Sequence, residues 1–496
     1  VDLLIRGAAV YDGSGGPART ADVAVTGTRM EAVGDLAGAQ AGTEVDGRGL
    51  ALAPGFIDVH SHDDFAVFLM PEMDFKVGQG VTTDVVGNCG LGAAPFAPAR
   101  RYLGFFGADH HASDLPDWDT YGEYLDAVDG APPSLNVAVL VGHGTVRLDA
   151  MGNERREPDA AEMARMLDTL AEGLDAGCVG YSTGLIYEPG RYSASDELVG
   201  LARLMAGTGA LYASHMRNEG EHLLDAVAET IAIGEQSGVP VQISHHKASG
   251  AESWGLVEHS LGLIDEARAR GVDVTADQYP YTAGSTSLFA VLQNYEEGTA
   301  GVGAPDWTKI VLASAPGHPE MEGHNVAALA ADLGVDPVEA ARRIVDTEGY
   351  GAVVVIHSMS EDDVRTVMAH PTTMIGSDGI PTFGGKPHPR LYGTFARVLG
   401  HYARDEAVLT LEAAVHRMTG MPAAKFGLRG RGVIEPGAWA DLVLFDPATI
   451  ADVATYESPR RHPSGIRCVW VNGTAVVRDG VHTGERPGRA LRRGRP

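Results

Sequence analysis

A chain of 496 residues, 44% hydrophobic and 21% charged, has the composition of an ordinary globular protein with room for two domains. Its formal charge of −28 argues against nucleic acid or an anionic membrane surface as a partner. No apolar run approaches the roughly 18 residues of a membrane helix, and the three cysteines are odd in number and far apart, which fits a reducing, cytoplasmic setting rather than a disulfide framework.

The opening stretch VDLLIRGAAVYDGSG reads as a strand and a turn, without the basic start or apolar core of a secretory signal. Residues 1–52 continue as short strands, and residues 434–485 have the same texture in ADLVLFD and IRCVWVNGTAVVRDG. The expectation is one small, discontinuous β-sandwich domain built from both chain ends, rather than two unrelated hairpins. Between them, over residues 53–433, apolar strands alternate with amphipathic helical patterns. DAAEMARMLDTLAEGLDAG has apolar positions at helical spacing and ends on glycine, and DELVGLARLMAGTG, HLLDAVAETIAIGEQSG and HSLGLIDEARARG repeat that design. This α/β alternation predicts a (β/α)8 TIM-like barrel; no dinucleotide fingerprint or Walker A sequence supports a Rossmann or P-loop alternative. Residues 283–350 break the rhythm and are expected to form an insertion near the barrel mouth, and the chain closes on an Arg-rich tail.

Six potential metal ligands stand where parallel strands would end. They are His60 and His62 in PGFIDVHSHDD, Cys89 in GNCG, His215 in ASHMR, His245 in QISHHK and Asp378 in IGSDG. Each follows a short apolar or β-branched run, and in a parallel barrel the C-terminal strand ends converge on one mouth. Two histidines at i and i+2 of one strand face the same side and can grip one ion. A free cysteine is most often a small buried hydrophobe; the glycines around Cys89 instead suggest a thiolate held by zinc, whereas Cys178 and Cys468 read as structural. By alternation His246 turns away from the mouth as a packing residue. A carboxylate at Asp378 can take a proton from a metal-activated water and return it to a leaving nitrogen; a turn aspartate is the bland alternative.

With these motifs in view, the chain resembles the amidohydrolase superfamily and, within it, the N-acyl-D-amino-acid deacylases (D-aminoacylases). The superfamily pattern, His-x-His on strand one, a His on each of strands five and six and an Asp on strand eight, matches His60 and His62, His215, His245 and Asp378. Many members bridge two metals with a carbamylated lysine on strand four, but Lys76, the only lysine between His62 and His215, lies too early for that role. The D-aminoacylase branch uses a cysteine on strand two in that role, which Cys89 in GNCG matches. STGLIYEPG, SHMRNE, DQYPYTAGST and HPRLYGTFARVLG carry the likeness through most of the chain.

The resemblance implies zinc-dependent hydrolysis of the amide of N-acyl-D-amino acids. It implies one zinc held tightly by Cys89, His215 and His245, a weaker site at His60, His62 and Asp378, and Asp378 as the catalytic acid–base. It also suggests Lys247, Tyr187, Tyr279 and Arg390 as contacts for the carboxylate of this small-molecule substrate. For Arg390 an exposed helix-start residue is the alternative. Lys247 is one of only five lysines and lies two residues after His245, where strand parity turns it to the mouth. The segment TAGSTSLFAVLQNY has no Lys or Arg before Lys309, so Leu288 and Phe289 suggest an apolar wall and neutral, hydrophobic D-side chains. A hydantoinase- or dihydroorotase-like cyclic amidase, a dipeptidase, and more distantly a non-catalytic scaffold of this fold are the rival readings. An oligomer is compatible with the sequence.

Overall fold

The computed structural model of the chain describes residues 1–298 and 305–494. The N-terminal strands β1 (Leu3–Val10), β2 (Arg19–Thr26) and β3 (Arg29–Gly34) form an antiparallel meander, with β4 (Thr43–Asp46) and β5 (Ala51–Pro54) parallel to β1. Gly27, with φ of 57°, supplies the left-handed conformation that the two-residue turn between β2 and β3 needs.

Seven parallel strands follow: β6 (Phe56–Asp58), β7 (Val81–Val86), β8 (Asn136–Gly142), β9 (Gly180–Gly184), β10 (Leu211–His215), β11 (Val241–Ile243) and β12 (Val274–Gln278). Next come the antiparallel strands β13 (Ala283–Ser287), β14 (Ile310–Ser314) and β15 (Val353–His357), which form a separate sheet. The last parallel strand is β16 (Thr373–Ile375). At the C-terminal end, β17 (Leu442–Phe445), β18 (Ile466–Val471), β19 (Thr474–Arg478) and β20 (Val481–His482) return to the first sheet, β17 pairing antiparallel with β5.

Both chain ends thus share one nine-stranded sheet. Its two halves also share a core, since Leu3, Ile5 and Val23 pack in one buried cluster with Leu442, Leu444 and Trp470.

The eight parallel strands are a nearly closed barrel in chain order, buried along their whole length because helices cover the outside. Ile57, Val59, Val85, Leu140, Leu211, Ala213 and Met374 belong to one cluster. Strands as far apart as β6 and β10 can touch only through the barrel interior, so these side chains point inward. The covering helices obey their sequence signals. Ala160–Ala176 begins on a capping box between Asp159 and Glu162, worth about 1 kcal/mol. It buries Met166, Leu170, Gly173 and Leu174 at helical spacing and stops at left-handed Gly177.

The ladder is continuous from β6 through β12 to β16, but β16 and β6 form no strand pair. A single bridge between Ser61 and Gly379 spans that seam, with the Asp378 N–H donating to His60 O at 2.7 Å and the His62 N–H to Gly379 O at 3.2 Å. The segment between β12 and β16 forms a unit with its own buried core around Leu288, Leu312, Val326 and Ile344. Its third strand reaches His357, beyond the expected end at residue 350, and residues 299–304 of that expected insertion lie outside the described ones. Among the described residues no helix is long and apolar enough to cross a membrane.

Candidate metal centre and active site

The strand ends place six side chains in one buried cluster. Cys89 follows β7 in a tight turn, with Gly87 and Gly90 at φ of 79° and 74°. A Cβ on Gly87 would sit 2.1 Å from Leu140 O, so the turn packs against the neighbouring strand only because the side chain is absent. Cys89, His245 and Asp378 themselves have φ of 54°, 34° and 50°, three of the seven non-glycine residues with positive φ among those described. Such conformations cost roughly 1–3 kcal/mol each and persist where the surroundings hold them; here they aim three functional groups at one point.

Cys89 Sγ lies 3.3 Å from His60 Nε2 and 3.5 Å from both His215 Nδ1 and His245 Nε2. On the other side, Asp378 Oδ1 is 3.1 Å from His62 Nε2 and 3.5 Å from His60 Nε2. A tetrahedral zinc, with bonds of about 2.3 Å to sulfur and about 2.0 Å to nitrogen, separates its ligand atoms by about 3.3–3.6 Å. The three Cys89 spacings fall in that range; His215 Nδ1 and His245 Nε2, 2.8 Å apart, are closer.

The far ring nitrogens also suit ligands. His245 Nδ1 lies 2.9 Å from Glu219 Oε1 and His60 Nδ1 lies 3.2 Å from Asp277 Oδ1, the carboxylate–histidine arrangement that orients metal-binding imidazoles. The His245 N–H also donates to Asp277 Oδ1 at 2.8 Å. His60, Cys89 and His245 form one group that could hold a cation, and His60, His62 and Asp378 another. The donor set and spacing fit a metal.

Electrostatics point the same way. Burial alone would raise the Cys89 thiol, but the His60 and His215 charges outweigh it and hold it well below its ordinary value, as a thiolate. Burial would also raise Asp378; the charges of Arg390, His245 and His60 and a hydrogen bond from His62 keep it well below the usual carboxylate range. Burial would lower His62, yet Asp378 and Cys89 push it up to about 9.

A cavity of about 500 Å³ opens on this cluster, and His62, His215, His245, Asp378, Tyr187, Lys247 and Tyr279 reach its lining. His60, Cys89 and Arg390 do not. The Tyr187 hydroxyl is 3.0 Å from Thr286 Oγ1 and its ring packs against His215. The buried Tyr279 hydroxyl has no hydrogen-bond partner among the described residues, and its ring is flanked by Lys247 and Arg390.

Lys247 donates to Glu219 Oε1 at 2.7 Å and to its neighbour's carbonyl, His245 O, at 3.0 Å. Its charge therefore has a counterion that strand parity did not reveal. Arg390 is not an exposed helix-start residue: it opens the helix Arg390–Arg397 fully buried, with Nη1 2.8 Å from Asp378 Oδ2 and Nη2 donating to Ser285 O at 3.3 Å.

The expected apolar wall is corrected in its residues. Leu288 is buried in the inserted unit and Phe289 packs against Tyr350, so neither lines the cavity. Helical geometry turns the next two residues, Ala290 and Val291, to the cavity, where Leu91, Ile186 and Ile380 add apolar surface. Lys309 also lines the cavity, half-exposed and 3.7 Å from Asp306 Oδ2. Glu219 and Asp277 escaped the sequence reading. Asp277 carried a signal, a carboxylate near the end of an apolar strand like the six ligands; Glu219 lies in a loop with no periodicity to expose it.

Residues 43–358 and 262–477 match the amidohydrolase family in two overlapping stretches. The N-acyl-D-glutamate deacylase of Alcaligenes xylosoxydans xylosoxydans is 43% identical over 499 residues, covering 99% of this chain and 97% of the relative. The D-aminoacylase of the same organism is 42% identical over 492 residues, covering 99% and 98%. A crystal structure of N-acyl-D-glutamate deacylase from Bordetella bronchiseptica, complexed with zinc and a phosphonate inhibitor that mimics the tetrahedral intermediate, superposes with a TM-score of 0.90 at 42% identity and covers 99% of both chains. The chain belongs to the amidohydrolase family and, within it, to the N-acyl-D-amino-acid deacylases.

Proposed function

We propose that this chain hydrolyses the linear amide of N-acyl-D-amino acids, N-acetyl derivatives among them, with zinc as its metal. The observation that carries the reading is the thiolate–imidazole–carboxylate cluster around Cys89, His245 and Asp378, whose His245 and Asp378 line the cavity at the barrel mouth. The preference for D substrates and for zinc is inferred from the relatives named above. In the proposed assignment, Cys89, His215 and His245 hold one zinc tightly, and His60, His62 and Asp378 form a weaker second site.

Bound there, zinc supplies Lewis-acid polarisation of the acyl carbonyl and acidifies water toward neutrality. Asp378 accepts the proton of the attacking water and returns it to the departing amine nitrogen. Arg390 and His62 keep that carboxylate ionised and aimed until the proton arrives. Lys247 and the free hydroxyl of Tyr279 face the cavity where the substrate carboxylate would bind, with Tyr187 beside them. Arg390, behind Tyr279, adds positive potential.

Leu91, Ile186, Ala290, Val291 and Ile380 favour a neutral, hydrophobic D-side chain. The one cation of the inserted unit at the cavity, Lys309 among the described residues, is half-exposed and faces Asp306, which leaves it a weak anchor for an acidic side chain.

Amine release from N-acetyl-D-leucine, N-acetyl-L-leucine and N-acetyl-D-glutamate, each with and without added zinc, tests the proposal. Zinc-dependent release from the D-leucine derivative well above the other two is the expected result. Release from the L form at a similar rate would overturn the stereochemistry, and D-glutamate turned over fastest would overturn the apolar pocket.

A further inference from the structure

A buried ion cluster lies behind the seam that closes the barrel. Lys76, on the short helix Asp74–Val77, is fully buried. Its ammonium donates to Asp58 Oδ2 at 2.5 Å and to Ser377 Oγ at 2.9 Å, and lies 3.1 Å from Asp63 Oδ2 and 3.7 Å from Asp84 Oδ1. Asp58 and Asp84 are partners in the β6–β7 ladder. Their neighbours Ile57, Val59 and Val85 fill the barrel interior, so strand alternation turns both carboxylates outward toward Lys76. Burial alone would drive this lysine toward neutrality, but the three carboxylates outweigh it and raise its pKa.

The contacts run to both sides of the seam. Asp58 Oδ1 accepts the His60 N–H at 3.2 Å and the Ser377 N–H at 2.8 Å, while Ser377 Oγ accepts the Gly379 N–H at 3.1 Å. Asp58 thus grips the backbone at the first histidine ligand, and Ser377 grips it on both sides of Asp378. The Lys76 ammonium joins the two. No strand ladder does this work here, unlike the Cys89, His215 and His245 side, where β7 to β12 are paired throughout. Buried ion clusters add little to stability compared with apolar packing of the same volume, so the geometry points to orientation as what this one contributes.

We propose that Lys76 is a positioning residue: by tying Asp58 to Ser377 across the open seam, it sets the spacing of His60, His62 and Asp378. It thereby tunes the cation affinity of that group while leaving the proposed tight site at Cys89, His215 and His245 unaffected. The inference rests on the reading of the mouth as a metal centre, and its test separates the two.

Metal-free full-length protein is titrated with Co²⁺. The thiolate-to-cobalt absorption reports the Cys89 group, and calorimetry follows the second equivalent. In Lys76→Met the first equivalent should bind within about twofold of wild type, and the second should weaken by about tenfold or more, the usual effect of losing an outer partner of metal ligands. Ser377→Ala keeps every charge and removes the hydroxyl's two links, to Lys76 and to the Gly379 N–H, so it should shift the second equivalent in the same direction by several-fold, and it decides the matter if Lys76→Met fails to fold. An unchanged second equivalent, or equal weakening of both, would overturn the positioning role while leaving the metal centre intact. Wild-type protein that takes up no cobalt would overturn the metal reading and this inference with it.

Discussion

The two halves of the barrel mouth are built differently. On one half, Cys89, His215 and His245 project from strands held by an unbroken parallel ladder, so backbone hydrogen bonds fix their spacing. On the other, His60, His62 and Asp378 face each other across a gap with one bridge, and side-chain contacts from Asp58, Lys76, Ser377 and Arg390 complete the frame. The contrast teaches that a parallel barrel can place ligands by register alone on its paired side, but needs buried polar links where register ends. It also matches the proposed division of labour: a firmly held cation on the paired side, and a weaker, adjustable group that carries the proton-transfer carboxylate on the other.

The largest effect expected is at the carboxylate. Asp378→Asn keeps the shape and loses the base, so turnover of N-acetyl-D-leucine should fall by about 10²- to 10⁴-fold. Zinc measured by atomic emission should stay bound at the Cys89 group; an active Asp378→Asn enzyme would refute the role.

Two glycines allow each half to be disturbed alone. A Cβ on Gly87 would meet Leu140 O at 2.1 Å, and one on Gly376 would meet His60 Cβ at 2.6 Å. Gly87→Ala, strained also by its positive φ, should weaken cobalt binding at the thiolate by about ten- to a hundred-fold, the range seen when metal ligands lose their support. Gly376→Ala should spare the thiolate absorption and weaken the second equivalent. Equal losses at both groups in both variants would erase the distinction between the halves.

The smallest effect concerns pH. In metal-free protein His62 is protonated below about pH 9, and it must lose that proton to accept a cation. His60 is held protonated as well, so metal affinity of the His60, His62 and Asp378 group should fall as pH is lowered, by about tenfold per unit or more. Each binding event should release at least one proton into weakly buffered solution. Affinity that is flat between pH 6 and 8 would count against His62 as a ligand.

Much of this was legible in the sequence, for identifiable reasons. Apolar runs ending in His60, Cys89, His215, His245 or Asp378 stand out because a buried strand must be apolar until it reaches the mouth. Helices such as Ala160–Ala176 announce themselves by a capping residue, a 3.6-residue period and a terminal glycine.

What escaped lies off those periodic patterns. Alternation weakens as a guide past Cys89, His245 and Asp378, because a left-handed residue rotates the chain after it. The Glu219 counterion of Lys247 and the Asp277 contacts of His60 and His245 therefore emerged only in three dimensions. Lys76 was read only as too early to bridge metals, since nothing in sequence spacing ties it to Ser377, its hydrogen-bond partner. Leu288 and Phe289 looked like cavity wall because a run of apolar residues does not reveal which face a short helix turns to its own unit's core.

One measurement bears most directly on the metal centre as the seat of activity. Metal-free protein and its Cys89→Ser variant are titrated with zinc while turnover of N-acetyl-D-leucine is followed. Wild-type turnover should rise from near zero to a plateau as about one zinc per chain is taken up, with Cys89→Ser staying low at the same zinc concentrations. Full turnover in chelator-treated wild type, or an unchanged titration for Cys89→Ser, would contradict a catalytic zinc held at Cys89.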